Sequence, residues 1–165
     1  MCAPFGKARS LEDRKECARF ILQTYKLFVM PCNLDNNHWA LGVIDLTGET
    51  IKTYDSLGPG MSPKINPILG ALVCFLHETA GLPFDQSQWK QSFPEVPKQG
   101  NAYDCGVFTL LYAAAVVRSF TSGKDDGWDF DQNLIPDARA WMTKKIYMET
   151  LANGSSAHTS LCARM

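Results

Sequence analysis

One cysteine in the sequence has the surroundings of a nucleophile. Cys105 lies in the segment PKQGNAYDCGVF (residues 97–108), after a loop whose Gly100 and Asn101 tolerate unusual backbone angles. The residues that follow predict an apolar helix, so the thiol would stand at a helix N-terminus, where the helix dipole stabilises the reactive thiolate. The Cys105 amide would be unpaired there and could bind a substrate oxygen, and Gly106 would let a substrate backbone approach closely.

Gln99 offers a second hydrogen-bond donor to the same substrate oxygen. It precedes Cys105 by a short loop, and this loop could bring the carboxamide back toward the thiol to form an oxyanion hole. The alternative is an ordinary helix in which Asp104 is the N-cap and Cys105 is a buried thiol. The segment alone leaves both interpretations open.

A histidine and an aspartate could complete a catalytic group with this thiol. His38 begins a predicted strand, Asp55 lies near the end of the next strand, and the turn Thr47–Glu49 joins the two. Paired positions in this hairpin would have numbers that sum to about 96, so Asp55 lies a few residues from the position opposite His38. A carboxylate bound to one imidazole nitrogen leaves the other free to accept the thiol proton. A structural histidine and a turn-forming aspartate are the alternatives, and His77 and His158 are weaker candidates.

These residues must be positioned by an α+β fold, because helices and antiparallel strands follow one another without a repeating βαβ pattern. We predict helices at Leu11 to about Tyr25, about Lys64 to Thr79, Cys105–Val117 and Pro136 to about Leu151, and strands at Leu27–Asn33, His38–Leu46, Thr50–Leu57 and Trp89–Val96. The helix that begins at Cys105 is apolar on nearly all faces and is expected to be buried. Residues 1–152 read as a single domain, and residues 153–165 as a disordered tail.

Composition excludes several classes of function. The chain has 165 residues, 45% hydrophobic and 20% charged, with a net charge of −1, so neither nucleic acid nor an anionic membrane surface is an expected partner. Its longest apolar stretches are shorter than the ~20 residues that span a bilayer. The N-terminal residues lack the apolar run of a secretory signal, so we expect the protein in the nucleus or cytoplasm, as a monomer.

The cysteines do not form a metal site or an evident disulfide framework. They are Cys2, Cys17, Cys32, Cys74, Cys105 and Cys162. None of these cysteines has a partner at the spacing of zinc ligands, and we expect reduced thiols in an intracellular protein of this size. No metal and no organic cofactor is therefore predicted.

Four motifs in the correct order carry a resemblance to a known family. They are His38-Trp39, Tyr54-Asp55-Ser56, Gln99-x-Asn101-x-x-Asp104-Cys105-Gly106 and Ile135-Pro136-x-x-Arg139. Together they resemble the ubiquitin-like protease family, the sentrin/SUMO-specific peptidases, which is distantly similar to the adenoviral endopeptidase. The resemblance covers about Leu27 to Leu151. It implies a papain-like fold and hydrolysis after a C-terminal Gly-Gly of a ubiquitin-like protein.

The resemblance also implies that Trp39 roofs a narrow tunnel over the two substrate glycines. Members of the family carry an upstream Trp-Leu-x-Asp-type segment whose tryptophan forms the other wall of that tunnel. No tryptophan precedes Trp39 in this sequence. We therefore expect a domain that is shortened at its N-terminus relative to the family, or else one whose N-terminal subsite is built differently.

The sequence as a whole predicts a cysteine peptidase for a ubiquitin-like modifier, with SUMO as the expected modifier. Cys105 would attack the glycine carbonyl, His38 would be its base, and Asp55 would orient the imidazole. Gln99 and the Cys105 amide would bind the oxyanion. Two alternatives stay open: a deubiquitinase or a peptidase for another such modifier, and a catalytically weak module that binds the tail of a ubiquitin-like protein.

Overall fold

The computed structural model describes residues 10–125 and 127–162, and side chains as far as residue 150. The helices in this part are α1 (Leu11–Thr24), α2 (Ile65–Ala80), α3 (Cys105–Ser122) and α4 (Ile135–Cys162), with short 3₁₀ turns at Gln86–Gln88 and Gln132–Leu134. The strands are β1 (Leu27–Leu34), β2 (His38–Asp45), β3 (Thr50–Tyr54) and β4 (Lys90–Ser92). The predicted α+β class is confirmed.

The four strands form one mixed sheet in the order β1-β2-β3-β4. The first three are antiparallel, and β4 pairs with β3 in parallel. Leu41 lies opposite Tyr54 and Ile44 opposite Ile51, one position from the pairing that the hairpin predicted. β1 is an edge strand and contains Pro31.

The sheet is covered on both faces, because side chains along β2 alternate between two hydrophobic clusters. Leu41 and Val43 pack with Phe108 and Tyr112 of α3. The other cluster is built from Ala40, Ile44 and Ile51 of the sheet with Ile65, Leu69 and Val73 of α2. A Cβ added at Gly42 would lie 2.8 Å from Leu69 Cδ1, so α2 approaches β2 closely there and a larger residue would force the Leu69 side chain to shift.

The boundaries of two predicted strands are wrong. Of the predicted strand Trp89–Val96, only Lys90–Ser92 is a strand, and all three residues are exposed. Pro94 cannot donate to a strand ladder, which limits the length of this strand. β3 ends at Tyr54, so Asp55 lies just beyond the strand rather than inside it.

Two predicted helices also differ from the structure. α3 is not buried on all faces: Leu110, Val117 and Phe120 are exposed on the side away from the sheet. By length and composition this helix would also pass for a membrane span, but its other side packs against β2. α4 continues through residues 153–162, which we expected to be disordered. A single glycine lowers helix propensity by only ~1 kcal/mol, and no proline follows Pro136 to end the helix.

Candidate functional site

The ends of β2 and β3 bring His38 and Asp55 together. His38 is the first residue of β2 and Asp55 is the residue after β3. His38 Nε2 lies 2.8 Å from Asp55 Oδ1, and both side chains are buried. A carboxylate only accepts hydrogen bonds, so Nε2 carries the proton and Nδ1 is the nitrogen left with a lone pair in the neutral ring. The pair can therefore act as an oriented base.

The Asp55 carboxylate is fixed on one oxygen and unpaired on the other. Oδ1 also accepts the backbone amide of Leu57 at 2.8 Å. Oδ2 is buried and has no hydrogen-bond partner among the described residues. An unpaired buried carboxylate oxygen is costly to leave in place. The two bonds on Oδ1 hold the carboxylate in position against His38.

Cys105 is the first residue of α3 and is 6% exposed. Asp104 is the N-cap, and its backbone carbonyl accepts the amides of Val107 and Phe108. The Asp104 carboxylate makes no capping hydrogen bond to the helix. An α-helix offers no internal partner to its first amide groups, so the Cys105 amide stands where it could bind a substrate oxygen.

A cleft of about 480 Å³ opens at this end of α3. Its lining includes Trp39, Tyr103, Cys105, Gly106 and Leu110. A Cβ added at Gly106 would lie 3.7 Å from Trp39 Cδ1, which is ordinary van der Waals contact. The beginning of α3 therefore lies beside the beginning of β2, and the packing of the protein itself does not require glycine at position 106.

The Gln99 carboxamide is held from two sides. Ser56 Oγ donates to Gln99 Oε1 at 2.5 Å, and Gln99 Nε2 donates to the Asn101 carbonyl at 2.5 Å. Gln99 is 9% exposed. Both ends of the carboxamide are thus held by hydrogen bonds within the protein.

The loop before Cys105 takes its shape from hydrogen bonds rather than from unusual backbone angles. Neither Gly100 nor Asn101 has a positive φ, although both residue types tolerate unusual backbone angles. Asn101 Oδ1 accepts the amides of Tyr103 and Asp104, at 3.1 and 3.0 Å. Gln132 Oε1 accepts the Gly100 amide at 2.6 Å.

The carboxylate of Asp104 is buried next to the candidate nucleophile and is bound from three directions. Arg139 donates to Oδ1 from Nε at 3.0 Å and from Nη2 at 2.5 Å. Asn101 Nδ2 and Gln132 Nε2 donate to Oδ2, at 2.6 and 2.8 Å. Burial alone would raise the pKa of Asp104, but these hydrogen bonds and the charge of Arg139 outweigh it and lower the pKa.

Four further side chains hold the site together through hydrogen bonds: Ser56, Asn101, Gln132 and Arg139. The sequence interpretation predicted none of these contacts. Ser56, Asn101 and Arg139 stood in the quoted motifs, which was the signal that could have marked them, whereas Gln132 stood in none. His77 lies away from this cleft, with Nδ1 bonded to the Val73 carbonyl in α2. The side chain of His158 lies outside the described residues.

Comparison with known proteins gives one consistent family. Residues 8–153 match the Ulp1 protease family, C-terminal catalytic domain. The chain is 38% identical over 130 residues to ubiquitin-like-specific protease 1 of Saccharomyces cerevisiae, across 76% of this chain and 19% of that protein. It is 29% identical over 144 residues to ubiquitin-like-specific protease 1A of Arabidopsis thaliana, across 86% of this chain and 27% of that protein.

Solved structures agree with the sequence comparisons. The SUMO protease Ulp1 with its catalytic cysteine oxidised to a sulfonic acid has a TM-score of 0.64 at 26% identity, over 87% of this chain and 64% of that one. The C-terminal Ulp1 protease domain in complex with SMT3, the yeast ortholog of SUMO, has a TM-score of 0.56 at 28% identity, over 79% of this chain and 57% of that one. The chain thus spans only part of each protein that it matches.

Proposed function

This chain belongs to the Ulp1 protease family, and from that premise we propose that it is a cysteine peptidase for a ubiquitin-like modifier, with SUMO as the modifier. It cleaves the bond after the C-terminal Gly-Gly of the modifier, to release it from a target lysine or from a precursor. The observation that carries the proposal is the buried hydrogen bond between His38 Nε2 and Asp55 Oδ1, made beside the helix start that presents Cys105.

In the first half of the reaction, the Cys105 thiolate attacks the carbonyl carbon of the terminal glycine. The Cys105 amide and the Gln99 carboxamide donate hydrogen bonds to the oxygen as it becomes negative. The carbon–nitrogen bond then breaks, and the protonated His38 gives its proton to the leaving amine. The product is a thioester between Cys105 and the modifier.

In the second half, water replaces the amine. His38 Nδ1 takes a proton from the water as it attacks the thioester carbonyl. The carbon–sulfur bond breaks, which releases the modifier as a carboxylate and restores the Cys105–His38 pair. Asp55 keeps the imidazole in one tautomer through both halves, and none of these steps calls on a metal or a cofactor.

The cleft at Cys105 suits a substrate with two terminal glycines. Trp39 lines the cleft, and Gly106 beside it adds no side chain. A Gly-Gly backbone, which also lacks side chains, fits where larger residues would collide. SUMO is proposed because relatives are named SUMO proteases and one was solved in complex with SMT3, the yeast ortholog of SUMO.

We place the activity in the nucleus or cytoplasm. Cys32, Cys74 and Cys105 are free thiols, and free thiols persist in the reducing compartments of the cell. A nucleophilic cysteine needs that environment to stay reduced. The single catalytic unit is proposed to act as a monomer.

A panel of modifiers with electrophilic C-termini tests the proposal. The chain is mixed with probes built on SUMO, on ubiquitin and on other ubiquitin-like proteins, and the site of any covalent adduct is read by mass spectrometry. We expect the SUMO probe to label Cys105, with labelling lost in Cys105→Ala and kept in Cys74→Ala. Labelling by the ubiquitin probe alone would replace SUMO as the substrate. Tight binding of a modifier without adduct or turnover would instead establish a binding module.

A further inference from the structure

Ser56 lies between the proposed acid and the proposed oxyanion donor, and the reaction scheme gives it no task. It follows Asp55 in the chain, is 2% exposed and donates from Oγ to Gln99 Oε1 at 2.5 Å. The backbone carbonyl of Ser56 also accepts the Gln99 amide at 3.1 Å. Ser56 therefore holds both the backbone and the side chain of Gln99.

The partners of the Gln99 carboxamide determine its orientation. The Asn101 carbonyl can only accept, so the NH₂ group must face it. Oε1 then faces Ser56, whose hydroxyl must donate. Of the two N–H bonds on Gln99 Nε2, one goes to Asn101, and the other has no partner among the described residues.

We propose that Ser56 is a positioning residue for the oxyanion hole, because its hydroxyl holds Oε1 of the carboxamide that Asn101 orients, and so fixes the place from which Gln99 presents its remaining N–H to the substrate oxyanion. This inference rests on the proposed function. Without the Ser56 hydroxyl, the carboxamide keeps only its bond to the Asn101 carbonyl, so Oε1 is no longer held and the remaining N–H can swing away from the developing negative charge. The bond from Ser56 also polarises the carboxamide, and hydrogen bonds in such a chain strengthen one another.

Neighbouring contacts allow the Ser56 hydroxyl to be removed without losing the backbone around it. Lys98 Nζ donates to the Asp55 carbonyl at 2.9 Å, and the Tyr112 hydroxyl donates to the Pro97 carbonyl at 2.5 Å. The Lys98 contact joins the segment of Asp55 and Ser56 to that of Gln99, and the Tyr112 contact ties the Gln99 segment to α3, although the Tyr112 side chain also contacts that of Ser56. Ser56→Ala therefore releases the oxygen end of the carboxamide while the Lys98 contact and the backbone bond from Gln99 to Ser56 keep the two segments together.

A double-mutant cycle between Ser56 and Gln99 measures the proposed role. Gln99→Ala is expected to lower kcat about 10²-fold in hydrolysis of a SUMO–fluorophore substrate. Ser56→Ala is expected to lower kcat about 10-fold with KM nearly unchanged, and to have no further effect in the Gln99→Ala background. Ser62 supplies the matched control, because its hydroxyl is also buried but has no partner among the described residues. Ser62→Ala should leave kcat unchanged.

A second readout does not depend on turnover. In ¹⁵N NMR spectra, the side-chain NH₂ of Gln99 should exchange slowly in the unmodified protein and faster in Ser56→Ala. An equal loss of kcat from Ser56→Ala in both backgrounds, or unchanged NH₂ signals, would overturn the positioning role. Absence of turnover in the unmodified protein, with the NH₂ signals still sensitive to Ser56→Ala, would overturn the proposed function and leave the orientation of Gln99 established.

Discussion

Arg139 of α4 binds the Asp104 carboxylate with two nitrogens of one guanidinium, at 3.0 and 2.5 Å from Oδ1. It also donates from Nη2 to the Tyr103 carbonyl at 3.1 Å. The last helix thereby holds the residue that comes immediately before Cys105. Because the guanidinium is planar and donates from two nitrogens, it fixes the orientation of the Asp104 carboxylate as well as its distance from Arg139.

Loss of this guanidinium should destabilise the protein. Arg139→Ala leaves the buried Asp104 carboxylate with only its two amide donors, and we expect the free energy of unfolding to fall by about 1–3 kcal/mol. Lys145→Ala is the matched control in the same helix, because Lys145 pairs with Glu149 at an exposed position. It should change stability little. Urea unfolding of the three proteins makes the comparison, and equal losses in both variants would contradict the assignment.

The lowered pKa of Asp104 predicts a specific dependence of stability on pH. The folded state keeps this carboxyl ionised more readily than the unfolded state does. Its contribution is therefore fully present above about pH 4 and is lost as the pH falls through the lower, folded pKa. Asp104→Asn removes the titrating group, so the difference in unfolding free energy between the two proteins should be largest near neutral pH and shrink below pH ~4. A difference that stays constant with pH would refute this.

Reactivity of the cysteines should separate Cys105 from the other thiols. Burial raises the pKa of Cys32; burial and the hydrogen bond and charge of Glu78 raise that of Cys74. Cys105 instead is the first residue of α3, next to the start of β2 that carries His38, and is the nucleophile of the proposed reaction. Iodoacetamide at neutral pH should modify Cys105 first, as read by peptide mapping, and His38→Ala should slow that reaction alone. Equal rates at Cys105 and Cys74 in the folded protein would argue against a catalytic thiolate.

Gly106→Ala should preserve the stability of the protein and lower its activity. The new Cβ makes only ordinary contact with Trp39, and alanine favours the helix by up to ~1 kcal/mol over glycine. Gly106→Ala should therefore fold at least as well as the unmodified protein. The methyl group occupies the cleft, however, and a displaced substrate should lower kcat/KM by about 10²-fold.

Gly70 of α2 provides the control for this experiment. A Cβ there would approach the flexible Gln91 side chain at 3.4 Å, far from the cleft in the fold. Gly70→Ala should keep full hydrolysis of the fluorogenic substrate. If Gly106→Ala also kept it, the substrate would not pass between Trp39 and the start of α3.

The sequence predicted the parts of the molecule that depend on neighbours in the chain. Apolar periodicity identified α2 and α3, and the hairpin turn placed Asp55 close enough to bind His38. The sequence could not reveal the hydrogen-bonded pairs Ser56–Gln99 and Asp104–Arg139, whose members are 43 and 35 residues apart along the chain. Periodicity carries no information about such distances, because only the packed sheet and helices bring these side chains together. The predicted strand after Trp89 failed for a related reason: β-propensity depends on packing that these exposed residues lack.

Pro31 has a consequence for how the protein behaves at high concentration. An edge strand offers unpaired N–H and C=O groups to the sheet of another molecule, which is a common route to aggregation. Proline has no N–H, and in an edge strand the side that would carry this group faces solvent. The outer row of β1 therefore lacks a donor at Pro31. The opposite edge is only three residues long. Neither edge therefore offers a long continuous ladder to a second molecule, so this sheet resists strand-to-strand self-association.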